Sequence, residues 1–149
     1  MVWKPHVTVA AVIERRRRFL LVEERVDGRI LFNQPAGHLE PGESLVAAVR
    51  REVLEETAHR FEPSGLVGVY QYDTGNGNRT YLRFCFTGTL GEAESGRVLD
   101  DGIIATHWLS LEEIEAQRPR LRSPMVLACI RDHLRRPSLP LDRLHHLRP

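Results

Sequence analysis

GHLEPGESLVAAVRREVLEE, residues 37–56, is the stretch around which the rest of the chain is organised. Pro-Gly at 41–42 predicts a turn, and the Glu-Ser pair after it suits the cap or first turn of a helix. No glycine or proline occurs in residues 45–62, so that helix can continue without interruption. At about 100° per residue its apolar residues fall on one stripe. These are Val46, Val49 and Val53.

Three glutamates near the end of this stretch predict a cation site. Glu52, Glu55 and Glu56 are three and four residues apart, so they share one face of the predicted helix. Arg51 can pair with Glu55 at i,i+4, but one arginine does not neutralise three acids. Hard oxygen ligands at this density suit Mg²⁺ or Mn²⁺. A solvated acidic helix face is the alternative that the triplet alone leaves open.

Seven residues in this stretch resemble the Nudix box, G-x5-E-x7-R-E-U-x-E-E-x-G-U, in which U is aliphatic. The matching residues are Gly37, Glu43, Arg51, Glu52, Val53, Glu55 and Glu56. The chain departs from the box at Ala58, where the box has glycine, and at His59, where it has an aliphatic residue. Alanine adopts a left-handed helix C-terminus less readily than glycine, so we expect the helix to run longer here.

The resemblance implies an α/β/α sandwich around a mixed β-sheet, the Nudix fold. The pattern of strands and helices by itself gives only an α/β or α+β sandwich. The strongest strand prediction is TYLRFCFTGTL, residues 80–90, in which apolar and other residues alternate. Further strands are predicted at 5–13, 19–24, 30–33, 66–72 and 103–109.

Turns and helices are predicted between these strands. The arginine run at 14–18 is an exposed hairpin turn or, alternatively, a phosphate or nucleic-acid patch. Pro35-Ala36-Gly37 is predicted as a bend, and Pro63-Ser64-Gly65 as a loop. Ser110 and Glu113 form a capping box for a short helix. Ser123-Pro124 begins a last helix at 124–135, and its apolar residues should pack on the sheet. They are Val126, Leu127, Ile130 and Leu134.

The composition gives little information about the partners or the location of the protein. A chain of 149 residues with a net charge of +1 predicts one domain, 1–149, with no electrostatic case for nucleic acid or membranes. The tail at 137–149, including His145-His146, is expected to be loosely ordered. Cys85 and Cys129 have apolar neighbours, which favours buried thiols in a reducing cytosol. We expect a cytoplasmic monomer or weak homodimer.

The resemblance also implies roles for the box residues. Glu52, Glu55 and Glu56 would hold Mg²⁺, with Mn²⁺ as a substitute, together with the carbonyl of Gly37. Glu52 is the expected catalytic base, and Glu55 is the second choice. Arg51 and Glu43 would be structural residues that orient the carboxylates.

Residues outside the box are predicted to complete the site. The family often supplies a further acidic ligand before the strand that ends in Trp108, but that position falls on Gly102. Asp100 or Asp101 could substitute for it. Arg83 lies in mid-strand, where it is either a solvent-face residue or an anion contact. Arg83 and Arg25 are the predicted substrate-binding cations.

The function implied is metal-dependent hydrolysis of a small phosphoanhydride. Segments at 4–10, 33–40, 82–84 and 121–124 also resemble a phosphatase group within the family. That group implies nucleoside tri- and diphosphates, thiamine diphosphate and hydroxymethylpyrimidine diphosphate as substrates. One alternative is a pyrophosphatase for ADP-ribose or dinucleoside polyphosphates. Another is a non-catalytic ligand-sensing module, although such modules commonly lose box carboxylates.

Overall fold

Two β-sheets and three α-helices make up the fold in a computed structural model, which describes residues 2–149. The strands are β1 (His6–Val12), β2 (Glu14–Arg15), β3 (Arg18–Val26), β4 (Arg29–Asn33), β5 (Ala36–His38), β6 (His59–Asp73), β7 (Thr80–Ala93) and β8 (Ile103–Ser110). The helices are α1 (Leu45–Thr57), α2 (Leu111–Ala116) and α3 (Met125–Arg135). Within residues 2–149, none of the helices has the length and apolar character needed to span a membrane.

The first sheet has the strand order β5-β1-β7-β6 and is mixed. Strands β1 and β7 pair in parallel, whereas β5 on β1 and β6 on β7 are antiparallel. The second sheet is built around β3, which pairs antiparallel with β2, β4 and β8. The mixed sheet predicted from the resemblance is therefore confirmed.

Opposite faces of β1 pack against different helices. Val9 and Ala11 belong to a core cluster with Val49 and Val53 of α1. Ala10 and Val12 belong to a second core cluster, together with residues of α3. Because successive side chains of a strand alternate between faces, α1 and α3 cover the two sides of the sheet. This arrangement is the expected α/β/α sandwich.

The arginine run forms the tight turn of a hairpin between β2 and β3. Arg16 and Arg17 have φ values of 52° and 64°. Two central residues with positive φ match the twist of the flanking strands. Asp27 and Gly28 make the next turn in the same way, with φ values of 48° and 78°. The hairpin interpretation of the arginine run is therefore confirmed.

Two segments predicted as irregular lie partly or wholly in strands, although Pro35 itself forms a bend as predicted. Ala36 and Gly37 do not form a bend but belong to β5, where they pair with β1. Pro63-Ser64-Gly65 lies inside β6 rather than in a loop, at a shift in register between Pro63 and Gly65. The proline is tolerated because β6 is an edge strand and the irregularity removes the need for its missing N–H.

Helix α1 ends where the box glycine would stand, so the expectation of a longer helix is wrong. Ala58 adopts the left-handed conformation, with φ 61° and ψ 13°. Its N–H donates to the carbonyl of Leu54 at 2.9 Å, and its carbonyl accepts from Glu94 N–H at 2.7 Å. Strand β6 begins at His59, so pairing with β7 on the far side of Ala58 enforces this conformation on alanine.

Helix α3 packs on the sheet through a stripe that differs slightly from the predicted one. Leu134 is 49% exposed, so its assignment to the buried stripe is wrong. The stripe is centred on Met125, Val126, Cys129 and Ile130, all of which are buried. Leu134 lies in the last turn of α3, beyond Ile130, the last buried residue of the helix.

The C-terminal tail contacts the first sheet. Leu66 and Leu139 exchange two backbone hydrogen bonds of 2.8 Å. A 3-10 turn follows at Leu141–Arg143. Gly65 leaves no room for a Cβ because the side chain of Ser138 lies against it. The tail thus lies along β6, on the sheet that also supports the candidate site.

Candidate metal and phosphate site

The N-terminus of α1 is fixed by two side chains of the box stretch. Ser44 is the N-cap, and its hydroxyl accepts a 3.0 Å hydrogen bond from Ala47 N–H. The carboxylate of Glu43 accepts from Glu40 N–H at 2.8 Å, which closes the preceding turn. The start of the helix is therefore fixed at a defined residue, and its acidic residues lie in its last two turns.

Glu52, Glu55 and Asp100 form an acidic cluster at the edge of the fold. One carboxylate oxygen from each lies within 4.8 Å of those of the other two. Asp100 is held in place because its N–H donates to the carbonyl of Glu55 at 3.0 Å. Asp101 is exposed and does not belong to this cluster. Of the two aspartates offered as substitutes at the Gly102 position, the structure thus brings Asp100 to the glutamates.

Arg51 ties the carboxylates together. Its guanidinium donates to both oxygens of Glu43, at 2.7 and 3.1 Å, and to Glu52 at 2.7 Å. It also donates to Glu55 at 3.2 Å and to the carbonyl of His38 at 2.9 Å. The hydrogen bond to Glu43 is the largest cause of a raised pKa for Arg51 and a lowered pKa for Glu43. Arg51 therefore stays charged and holds the acids of α1 in one orientation.

Glu56 is as buried as Glu52, and only one hydrogen bond to it is present within residues 2–149. It is 7% exposed and accepts from Ala36 N–H at 2.8 Å. Burial, together with the charges of Glu24, Glu52 and Asp100, raises its pKa to about 9. A carboxyl group buried in this way is either protonated or compensated by a cation, and a divalent ion beside it would offset the effect of burial on its pKa.

Gly37 is needed because the carboxylate of Glu52 lies directly against its backbone. A Cβ at this position would overlap the carboxyl carbon and both oxygens of Glu52. Burial raises the pKa of Glu52, and hydrogen bonding to Arg51 opposes that rise. Clustered carboxylate oxygens with one arginine among them fit a hard divalent cation such as Mg²⁺. The residues present could therefore hold the metal.

A pocket of about 660 Å³ lies beside the acidic cluster, over the first sheet. It begins at Ala36, Gly37 and His38 of β5, on the strand that touches Glu52 and Glu56. It extends over β1 and β7 to the hairpin between β6 and β7. The paired residues Tyr72 and Tyr81 contribute its aromatic wall. The volume is in the range of small-molecule binding sites.

Arg83 lies on the floor of this pocket and not on the solvent face. It is 3% exposed, on the sheet face opposite α1. Its Nη1 donates to Gln34 Oε1 at 2.9 Å, and its Nη2 to Asn33 Oδ1 at 3.1 Å. Arg25, the other predicted cation, has an exposed side chain and does not line the pocket. A role for Arg25 in binding substrate stays a prediction without a contact to support it.

An ion pair at the edge of the pocket was not predicted from the sequence. Arg122 donates to Glu24 at 2.9 Å, and both side chains line the pocket. Glu24 also lies near enough to Glu56 for its charge to raise the pKa of that acid. The two residues are 98 positions apart, so no local pattern pairs them. The alternation along β3 was the available signal, since it places Glu24 on the face of buried Val22.

Comparisons with known proteins agree with this geometry. The NUDIX domain family matches residues 4–128. The chain is 39% identical to phosphatase NudJ of Escherichia coli strain K12 over 142 residues, covering 95% of this chain and 92% of that protein.

Solved structures give the same result. A NUDIX hydrolase from Nitrosomonas europaea is 48% identical, with a TM-score of 0.94 over 97% of this chain and 98% of that one. A MutT protein from Methanosarcina mazei Go1 is 25% identical, with a TM-score of 0.70 over 90% and 97% of the two chains. The family match, the NudJ similarity and the box carboxylates agree. This chain belongs to the Nudix family and is a Nudix hydrolase.

Proposed function

We propose that this hydrolase is a Mg²⁺-dependent phosphatase that releases phosphate from nucleoside tri- and diphosphates. Thiamine diphosphate and hydroxymethylpyrimidine diphosphate are further proposed substrates, and Mn²⁺ is a proposed substitute for Mg²⁺. The observation that carries the proposal is the convergence of Glu52, Glu55 and Asp100 beside a nucleotide-sized pocket. The 39% identity to phosphatase NudJ supports release of phosphate in preference to the pyrophosphatase alternative.

In the proposed mechanism, Glu52, Glu55, Glu56 and Asp100 hold the metal, with the carbonyl of Gly37. A bound Mg²⁺ would neutralise charge on the phosphates and lower the pKa of the attacking water. Burial raises the pKa of Glu52, which suits a group that accepts a proton from that water. Glu55 is the second candidate for this role.

Arg51 acts as a positioning residue in this proposal. It binds Glu52 and Glu55 through the same nitrogen, at 2.7 and 3.2 Å. That contact holds both carboxylates while one of them exchanges a proton. Arg83 is proposed to bind substrate phosphate oxygens, because a buried guanidinium favours an anionic ligand.

The proposed reaction is a single displacement at the terminal phosphorus. The water oxygen forms a bond to the terminal phosphorus, and the bridging P–O bond breaks. The electron pair leaves with the bridging oxygen, and the proton of water goes to the carboxylate base. The products are inorganic phosphate and the shortened leaving group. A pyrophosphatase would instead cleave at an inner phosphorus and release a nucleoside monophosphate from ADP-ribose.

A product-resolved activity screen tests the proposal. The enzyme would be incubated with Mg²⁺ and nucleoside di- and triphosphates, thiamine diphosphate, hydroxymethylpyrimidine diphosphate or ADP-ribose. Phosphate and nucleotide products would be separated by ion-exchange chromatography. We expect free phosphate from the terminal position and no turnover in excess EDTA. Full turnover in EDTA would refute metal dependence, and release of AMP from ADP-ribose as the main activity would favour the pyrophosphatase.

A further inference from the structure

Arg83 is a buried cation without an acidic partner. It is 3% exposed, and within residues 2–149 no carboxylate oxygen lies within 4 Å of its side-chain nitrogens. Its Nη atoms donate to the neutral side chains of Gln34 and Asn33, and Nη1 lies 3.9 Å from the sulfur of Cys129. Its Nε is buried with no hydrogen-bond partner within the same residues. An uncompensated buried charge is costly, so a fold retains it where a ligand compensates the charge.

The residues around Arg83 on the pocket floor present hydrogen-bond donors to the pocket. Gln34 is 1% exposed and donates through Nε2 to the carbonyl of Val126 at 2.8 Å, so its oxygen must face Arg83. Asn33 also presents its oxygen to Arg83, which leaves its amide nitrogen for the pocket that it lines. The hydroxyl of Thr8, paired opposite Arg83 on β1, lies on the same floor and can donate.

This floor is separate from the acidic cluster. Arg83 lies on β7, and strands β1 and β5 intervene between it and the edge of the sheet where Glu52 lies against Gly37. Two strand spacings correspond to about 10 Å across the sheet. A phosphoryl group at the carboxylates and a group on this floor are therefore two different parts of one ligand.

We propose that Arg83, Asn33 and Thr8 form an oxyanion site that binds the phosphate of the leaving group without help from a metal. The proposal rests on the proposed function for the identity of the substrate as a phosphoanhydride. The positive charge of Arg83, with the donors Asn33 Nδ2–H and the Thr8 hydroxyl, matches the acceptor oxygens of a phosphate monoester. The transferred phosphoryl group stays at the acidic cluster, and the leaving group keeps its own phosphate on the floor.

Calorimetric binding in EDTA tests this site apart from catalysis. The probes are adenosine, cytidine and thiamine monophosphates, each compared with its dephosphorylated form. The proteins are the wild type, Arg83→Gln, which keeps a donor but loses the charge, and Arg60→Gln. Arg60 is exposed at the start of β6 and does not line the pocket. Arg60→Gln therefore removes one positive charge, as Arg83→Gln does, but outside the proposed site. Unfolding in urea without ligand verifies that each variant is folded.

We expect at least one monophosphate to bind wild type more tightly than its dephosphorylated form. Arg83→Gln should weaken that binding at least about tenfold, whereas Arg60→Gln should change it by less than about twofold. Equal affinity of a monophosphate and its dephosphorylated form would overturn the proposal, since the floor would then bind the organic ring. Absence of binding without metal, or unchanged binding in a folded Arg83→Gln, would also overturn it. None of these results depends on hydrolysis, so failure of the oxyanion site and failure of the phosphatase proposal remain distinguishable.

Discussion

The acidic cluster and the Arg83 floor are opposite in charge and in origin. Two of the cluster's three acids, Glu52 and Glu55, come from one turn of helix α1, and Glu56 follows them. The floor instead combines residues 8, 33 and 83 from three strands. The cluster has an excess of negative charge around Arg51, and the floor has a positive charge without an acid. We propose that each region binds a ligand of the opposite charge.

The contrast shows how one sheet can bind two parts of one substrate. Side chains of α1 reach the sheet at the β5 edge, while Arg83 projects from the opposite face below the pocket. In the proposed function a cation compensates the cluster, and in the proposed oxyanion site an anion compensates the floor. Loss of charge in the two regions should therefore affect different steps, with chemistry depending on the cluster and substrate affinity on the floor.

The largest effect should come from neutralising the cluster. Glu52→Gln or Glu56→Gln removes a carboxylate charge and keeps the shape of the side chain, so we expect kcat to fall by a factor of at least about 100. Steady-state kinetics with saturating Mg²⁺ measure this. Glu92→Gln, at an exposed position of β7, is the control and should retain wild-type kinetics. If both cluster variants kept more than about a tenth of the rate, the assigned metal site would be wrong.

A smaller loss should follow from moving the cluster without changing its charge. In Gly37→Ala the new methyl group occupies the space of the Glu52 carboxylate, which must shift away from its position. We expect kcat to fall by a factor of about 10–100. Gly91→Ala is the control, because its Cβ would meet only ordinary contacts with Arg60. Unchanged kinetics in a folded Gly37→Ala would mean that this contact does not position Glu52.

Changing the floor should affect substrate affinity more than chemistry. We expect Arg83→Ala to lower kcat/KM about tenfold or more, mainly through KM, because the leaving group loses a charged contact. Arg83→Lys should recover part of the loss, since lysine keeps the charge but lacks the forked donors. The two variants would be compared over a substrate titration with Mg²⁺. Wild-type kcat/KM in Arg83→Ala would exclude a contact with substrate.

The smallest effect should come from the end of α1, away from both charged regions. Ala58→Gly should raise the free energy of unfolding by about 0.5–1 kcal/mol, because glycine adopts a positive φ without the penalty of a Cβ. Urea unfolding measures the change. Ala47→Gly, at an exposed position inside α1, should have the opposite sign. A destabilised Ala58→Gly would show that backbone strain at this residue is negligible.

Local patterns predicted the fold class, α1 and the acidic face, because helix spacing alone brings Glu52, Glu55 and Glu56 together. They also predicted the hairpin turn of the arginine run and the capping box of α2. The conformation of Ala58 was not predictable, since intrinsic preference argues against it and strand pairing enforces it. The strand at Ala36 and Gly37 was missed because only pairing with β1 makes it extended.

By itself, the sequence determined that three carboxylates share one helix face, and the match to the Nudix box favoured a cation site over a solvated acidic face. The sign and spacing of those charges are local properties, which the chain carries before it folds. Tertiary structure alone decided that Asp100 joins Glu52 and Glu55, and that Arg83 faces the pocket without an ion-pair partner among residues 2–149. Alternation along β7 gives two possible sides for Arg83, and which side becomes a pocket depends on where α1 and α3 pack.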